Sequence, residues 1–133
     1  HILIILISIL LLSSPVIGDS HKGETLYRWD TSTDIWDSVY VWKGFGDKDF
    51  HPVYKGDVKN GVPNGLGIMI YTSGSKYVGG WKNGKKHGKG QMTHTDRSSE
   101  WGEYKDGVFW NGTFYDENGN IGKKRVNGKT MEQ

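Results

Sequence analysis

A repeat of 23 residues is the feature that most constrains what this chain can fold into. Two sets of three glycines, and several residues around them, recur at that interval between residues 54 and 121. Internal periods of 20 to 50 residues are typical of architectures that stack one supersecondary unit on the next. The three copies span residues 54–76, 77–99 and 100–121. The aligned glycines are Gly56, Gly79 and Gly102, and Gly61, Gly84 and Gly107.

Each copy has the pattern of a β-hairpin. Tyr77, Gly79 and Trp81 alternate with their neighbours at a period of two, which indicates a strand. Asn83–Gly84 then predicts a tight turn, because Asn-Gly accepts the positive φ values of a type I′ turn. Residues 66–71 and 89–94 are the predicted return strands. The sequence therefore predicts an all-β fold in which consecutive antiparallel hairpins form an elongated, twisted, single-layer sheet.

The composition explains how such a sheet is held together. The chain has 20 Gly, six Trp, seven Tyr and four Phe, and only 14 Ile, Leu and Val follow residue 18. This much Gly excludes long helical bundles, and the absence of Cys excludes a disulfide scaffold. Gly within a strand is unfavourable unless another group approaches closely. We expect aromatic rings to lie across Gly56, Gly79 and Gly102, and Gly65, Gly67, Gly88 and Gly90 to open the return strands in the same way.

The repeat also resembles a known family. The pattern Y-x-G-x-[VW]-K-N-G-x-x-x-G-x-G occurs at residues 54–67 and again at 77–90, and it resembles the MORN (membrane occupation and recognition nexus) repeat. The third copy departs from it, with Glu100 at the leading Tyr position and Thr113 at the last Gly position. Its ending, residues 110–121, resembles the terminal half-repeat of bacterial exported MORN proteins. The structural signature comprises Tyr54, Gly56, Gly61, Gly65, Gly67, Tyr77, Gly79, Trp81, Gly84, Gly88, Gly90, Gly102, Tyr104 and Gly107.

Residues 1–18 have the layout of a targeting segment. The run HILIILISILLL is followed by small residues, with Val16 and Gly18 at the −3 and −1 positions of a cleavage site after Gly18. We interpret it as a signal peptide, with an uncleaved membrane anchor as the alternative. The sequence thus predicts an exported protein located in the periplasm, at the cell surface or in the medium.

The segments that flank the repeats are predicted to cover the ends of the sheet. Residues 19–53 are interpreted as an N-terminal β cap or a degenerate repeat, with strands at 26–29 and 35–42. Gly44 lies one period before Gly67, so residues 41–46 are a candidate second half of that repeat. Residues 122–133 are interpreted as a C-terminal edge strand and tail.

No catalytic, metal or cofactor site is indicated by the sequence. The glycine run at residues 84–90 lacks the four-residue spacer of a P-loop. His51, His87 and His94 do not form pairs at metal-ligand spacing. A formal net charge of +2 is too small to predict nucleic-acid binding. We therefore expect a non-enzymatic protein without metal or cofactor that does not bind nucleic acid.

Two groups of residues are candidate contacts for a partner. A basic hairpin tip would touch an anionic membrane surface, or it is simply a solvated tip. A set of aromatic residues would stack on cell-envelope glycan. The function favoured is an interaction or scaffold module that binds protein or an anionic membrane, and glycan binding is the alternative. The basic residues are Lys82, Lys85, Lys86 and Lys89, and the aromatic ones are Tyr54, Tyr77, Trp81, Trp101 and Trp110.

Overall fold

The computed structural model describes residues 20–31 and 40–132, which form ten antiparallel strands in one open sheet. The all-β prediction is confirmed. The predicted signal segment lies outside the described residues, and none of the described residues forms a helix long and apolar enough to cross a membrane. The strands are β1 (Ser20–Asp30), β2 (Tyr40–Lys43), β3 (Val53–Lys59), β4 (Val62–Ile70), β5 (Lys76–Lys82), β6 (Lys85–Thr93), β7 (Ser99–Lys105), β8 (Val108–Tyr115), β9 (Ile121–Val126) and β10 (Lys129–Met131).

The order of the strands follows the chain from β3 to β10, so the repeats form successive hairpins as predicted. The N-terminal pair differs. β1 pairs with β3, and β2 lies outside β1 at the edge of the sheet. Residues 41–46 therefore do not take the place that a preceding repeat would fill, since Glu24 of β1 stands opposite Gly56. Gly44, whose spacing suggested that repeat, lies outside every described strand.

The hairpin turns follow directly from the sequence. Asn83 and Gly84 have φ angles of 51° and 79°, the combination that a type I′ turn requires. Each tip is also tied to the hairpin before it, because the amide of Gly84 donates to the carbonyl of Pro63 at 2.9 Å. The same bond recurs from Gly107 to Lys86 and from Gly128 to Trp110. Residues 122–131 thus continue the pattern as a further short hairpin, where the sequence predicted one edge strand and a tail.

One face of the sheet carries the core, and we call it the inner face. A single row of side chains runs across it from strand to strand through opposed residues. Tyr54 and Tyr77 are completely buried in this row, and the buried ring of Trp81 lies edge-on to both, with centroids 5.1 and 5.3 Å away. Such edge-to-face pairs are favourable beyond the area that they bury. The row consists of Leu26, Tyr54, Met69, Tyr77, Met92, Glu100 and Phe114.

A row of opposed glycines lies beside the core row and gives the rings their space. The ring of Tyr77 covers Gly90 so closely that a Cβ there would overlap the phenol, and Tyr54 covers Gly67 in the same way. The prediction that rings lie on bare backbone is thus confirmed at Gly67 and Gly90. It was wrong for Gly56, Gly79 and Gly102, where a Cβ would meet the backbone of the opposed strand first. The explanation was wrong for Gly65 and Gly88, which no ring covers. They adopt positive φ angles of 118° and 76° in the bulged parts of β4 and β6. The row is Gly56, Gly67, Gly79, Gly90, Gly102 and Gly112.

The first two strands curl back over the inner face. Three strands separate β2 from β5 in the sheet, yet the ring of Trp42 in β2 lies 6.1 Å from that of Trp81 in β5. Trp42 also meets Tyr54 edge-on at 6.0 Å. At the other end of the sheet, the guanidinium of Arg125 lies 5.4 Å from the Phe114 ring. The inner face is therefore covered at one end by β1 and β2 and closed by a cation at the other.

Candidate functional site

The curl of β1 and β2 forms one side of an open cavity of about 530 Å³ on the inner face. One wall comes from Arg28 of β1 and Tyr40 of β2. The other comes from β6 and from the turn and strand that follow β7. The cavity thus lies between the non-repeat segment and all three repeats, with Tyr71 contributed by the first. Its apolar side is formed by Trp81, Met92 and Val108.

Arg28 is held in the cavity by two aromatic rings. Its guanidinium carbon lies 4.0 Å from the ring centre of Tyr40 and 5.5 Å from that of Tyr71. A cation over an aromatic face is attracted by the ring quadrupole, which fixes the guanidinium without neutralising its charge. Burial raises the pKa of Tyr71, and the charge of Arg28 opposes that rise. The hydroxyl therefore stays protonated and is able to donate.

Lys86 is the second cation of the cavity. Its Nζ lies 5.2 Å from the ring centre of Tyr104 and 5.5 Å from that of Tyr77. Burial lowers the pKa of Lys86, the nearby charge of Glu100 opposes this, and Arg28 lowers the pKa further. Glu100 accepts a 2.7 Å hydrogen bond from the Tyr104 hydroxyl. The ammonium is thus partly desolvated and lies within electrostatic range of Arg28.

The lining of the cavity carries excess positive charge. Three cations, Arg28, Lys85 and Lys86, face one carboxylate, that of Asp106. The two ion pairs between described side chains are His87–Asp106 and Lys123–Glu132, and neither involves Arg28 or Lys86. An anion in the cavity would therefore meet two cations that are held by aromatic rings, next to an apolar wall.

The opposite, outer face of the sheet carries an apolar band. Ile68 of β4 stands opposite Val78 of β5, and the same cross-strand row continues through Gln91 to Trp101. Leu66 is 71% exposed and Trp101 is 51% exposed. Exposed apolar patches of this kind mark interaction surfaces in soluble proteins. The outer band is defined as Leu66, Ile68, Ile70, Val78 and Trp101, all exposed.

Lysines surround the outer band. Lys55 of β3 is opposed to Ile68 of β4, and Lys76 of β5 is opposed to Ile70 of β4. Lys89 lies on the other side, with its Nζ 5.6 Å from the ring centre of Trp101. All three side chains are exposed. Sequence reasoning missed this surface, although Leu66, Ile68 and Ile70 alternate with the buried Met69 and with Tyr71 at a period of two.

The four lysines of the predicted basic tip do not form one surface, so that prediction was wrong in its geometry. Lys86 points to the inner face and Lys89 to the outer face, because an odd spacing of three residues in a strand reverses the direction of the side chain. Lys82 and Lys85 are opposed at the end of the β5–β6 hairpin, and both are exposed. Only this pair matches the expected tip.

The predicted aromatic face is also wrong for three of its five members. Tyr54, Tyr77 and Trp81 are buried in the core, where their rings contact one another and cannot stack on a sugar. The half-buried Trp110 packs against Gly128 in the last hairpin. Trp101 alone of the five is exposed, and Lys89 lies over its ring.

The histidines have structural surroundings. His51 stacks on Trp29 with ring centres 3.9 Å apart, and its Nδ1 lies 3.1 Å from the amide of Asp47. His87 faces Asp106 at 3.7 Å, and His94 belongs to a polar turn. Within residues 20–31 and 40–132, no three His, Asp or Glu side chains come together in a way that could hold a metal ion.

Comparison with known proteins identifies the repeat. The MORN repeat family matches residues 54–76 and 77–99, so the chain contains two MORN repeats. No curated protein matches the chain. MORN repeats generally mediate protein or membrane-lipid interactions and are typically non-catalytic. The match ends at residue 99, whereas β7 and β8 continue the same register, with Gly102 opposite Gly112.

Proposed function

We propose that the protein is a non-catalytic interaction module that attaches to an anionic membrane surface through the outer face of its sheet. The observation that carries this proposal is the outer band, an exposed apolar strip with Lys55, Lys76 and Lys89 around it. The MORN repeats of the chain belong to a class that generally binds proteins or lipids, which supports the proposal.

Both parts of the outer face favour a lipid surface. The exposed aliphatic side chains and Trp101 are able to enter the interface between headgroups and acyl chains, where Trp is preferred. The lysines beside them would lie at the level of the headgroups, and each is worth about 1 kcal/mol near an anionic surface. A partner with negative charge around an apolar zone fits this face better than a neutral one.

Glycan binding is less well supported by the structure. Aromatic stacking on sugars needs accessible rings, and the core buries three of the five candidates. Trp101 remains exposed, but the Lys89 ammonium lies over its ring. Of the five candidate rings, the outer face therefore offers Trp101 alone, and Lys89 already contacts it.

The test is co-sedimentation of the purified chain with vesicles of phosphatidylcholine, with and without phosphatidylserine. We expect binding to the vesicles that contain phosphatidylserine, and its loss when Lys55, Lys76 and Lys89 are all replaced by Glu. Trp101→Ala should weaken binding without unfolding the protein.

The chain provides a matched control for charge. Lys59, Lys82 and Lys105 occupy one equivalent position in each repeat at the hairpin tips, and all three are exposed. Their replacement by Glu changes the net charge by the same amount and should leave most of the binding. Equal losses from the two triple variants would show that the position of a lysine relative to the outer band does not matter, and would refute docking through that band. Failure of the unaltered chain to bind either vesicle would refute the membrane proposal and leave a protein partner.

A further inference from the structure

We propose that the inner cavity is a binding site for an organic carboxylate with an apolar body, a site separate from the outer face and independent of the membrane proposal. Arg28 and Lys86 would bind the carboxylate, and Trp81, Met92 and Val108 would cover the apolar part. The ligand is either a free carboxylic acid or the carboxyl-terminal residue of a peptide, since both present this chemistry.

The two cations come from parts of the chain that are distant in sequence. Arg28 belongs to β1, outside the repeats, and Lys86 belongs to the second repeat. Rings hold both charges in place, with Tyr40 and Tyr71 against Arg28, and Tyr77 and Tyr104 against Lys86. Cations that are already positioned lose little side-chain freedom when a ligand binds.

The electrostatics of the cavity favour a negative ligand. Arg28 and Lys86 influence one another, and neither takes part in the ion pairs between described side chains. Glu100, whose charge also acts on Lys86, accepts a hydrogen bond from the Tyr104 hydroxyl and lies outside the lining of the cavity. A carboxylate between the two cations would relieve their repulsion and form charge-assisted hydrogen bonds in a partly desolvated place.

The size and the apolar wall restrict the ligand further. A cavity of about 530 Å³ falls within the usual range for small-molecule sites and is larger than a simple inorganic anion needs. Trp81 and Met92 are both buried, at 6% and 8% exposed, and they form an apolar surface beside the cations. This arrangement fits a carboxylate attached to an aromatic or branched aliphatic group.

The experiment is a titration of the full chain followed by the NMR signals of its Trp indole N–H groups. The probes are 4-phenylbutyrate and its neutral counterpart 4-phenylbutanol. A peptide pair, acetyl-Gly-Gly-Phe with a free carboxylate or with an amide end, provides the second arm. We expect a saturable shift of the Trp81 signal with an acid, at more than about tenfold higher affinity than with its neutral counterpart. The acid that binds more tightly shows whether the site prefers a free carboxylic acid or the carboxyl-terminal residue of a peptide.

Trp101 on the outer face is an internal control whose signal should not move. Lys86→Gln and Arg28→Gln should each weaken binding by more than about tenfold, whereas Lys89→Gln, on the opposite face, should not. Equal binding of acid and neutral probe, no shift of Trp81 with any probe, or an equal effect of Lys86→Gln and Lys89→Gln would overturn the proposal. The comparison of acid with neutral probe on the unaltered chain decides the question even if a variant fails to fold.

Discussion

The two faces of the sheet use similar residues for opposite purposes. On the inner face Tyr54 and Tyr77 are fully buried over glycines, while on the outer face Trp101 and Leu66 are exposed beside lysines. The difference lies in what stands opposite each side chain. A ring on the inner face has a glycine beside it on the next strand and other rings along the row. A side chain of the outer band is flanked only by the residues opposed to it on the adjacent strands. Stability is therefore concentrated on the inner face, whereas the outer face leaves apolar side chains exposed.

The largest effect should come from filling a glycine of the inner face. A Cβ at Gly90 would overlap the Tyr77 phenol, so Gly90→Val should cost at least about 4 kcal/mol of the free energy of unfolding and prevent stable folding. Urea denaturation followed by circular dichroism measures this. Gln91→Val, one residue further on the outer face, is the control and should change the stability by less than about 1 kcal/mol. A Gly90→Val protein of normal stability would refute the account of the glycine row.

A smaller loss is expected from removing a ring of the core. Tyr77→Ala should lower the free energy of unfolding by about 3 to 5 kcal/mol, because it leaves a cavity among Trp81, Tyr104 and Met92. Tyr77→Phe keeps the ring and removes only the 3.0 Å hydrogen bond to the Gly80 carbonyl, which is worth about 1 kcal/mol. If both variants lost the same amount, the hydroxyl and not the packing would be the source of stability.

Alkaline pH should weaken the inner face selectively. Burial raises the pKa of Tyr54, Tyr77 and Tyr104 above the ordinary value of 10.0, and Glu100 adds to the rise at Tyr104. The unfolded chain releases these protons first, so their contribution is intact below pH 10 and is lost as the pH rises above it. Each phenol contributes up to about 1.4 kcal/mol per pH unit there. We expect a total loss of about 2 kcal/mol at pH 10.5, measured by urea denaturation across a pH series, and a smaller loss in Tyr77→Phe.

The smallest effect on stability should come from the outer band. Trp101→Ala should change the free energy of unfolding by less than about 0.5 kcal/mol, because half of the side chain is exposed and it lies outside the buried core. Thermal denaturation measures the change. A loss close to that of Tyr77→Ala would show that the outer band stabilises the sheet, and the distinction between the faces would fail.

Much of the fold could be predicted from local pattern. The Asn–Gly pairs at residues 60, 83 and 127, and Asp106–Gly107, form turns with positive φ at both positions. Asn64 and Asn111, which look identical in sequence, lie within bulged strands, because the register of the paired strand decides whether Asn-Gly is a turn. The candidate site was harder to predict. Side chains point alternately to the two faces along a strand, and this rule would have placed Lys86 and Lys89 on opposite faces. No local pattern, however, places Arg28 near Lys86.

The sequence by itself determined the 23-residue hairpin period, the turns and the requirement for glycine beneath the rings, since each depends on residues that are close in the chain or at a fixed interval. The tertiary structure decided that β1 and not β2 pairs with β3, and that β2 curls back until Trp42 reaches Trp81. It thereby decided which aromatic residues are core and which cations share a cavity. These outcomes depend on contacts between the non-repeat segment and the repeats, where no periodic pattern constrains the chain and only the packing of the side chains selects the arrangement.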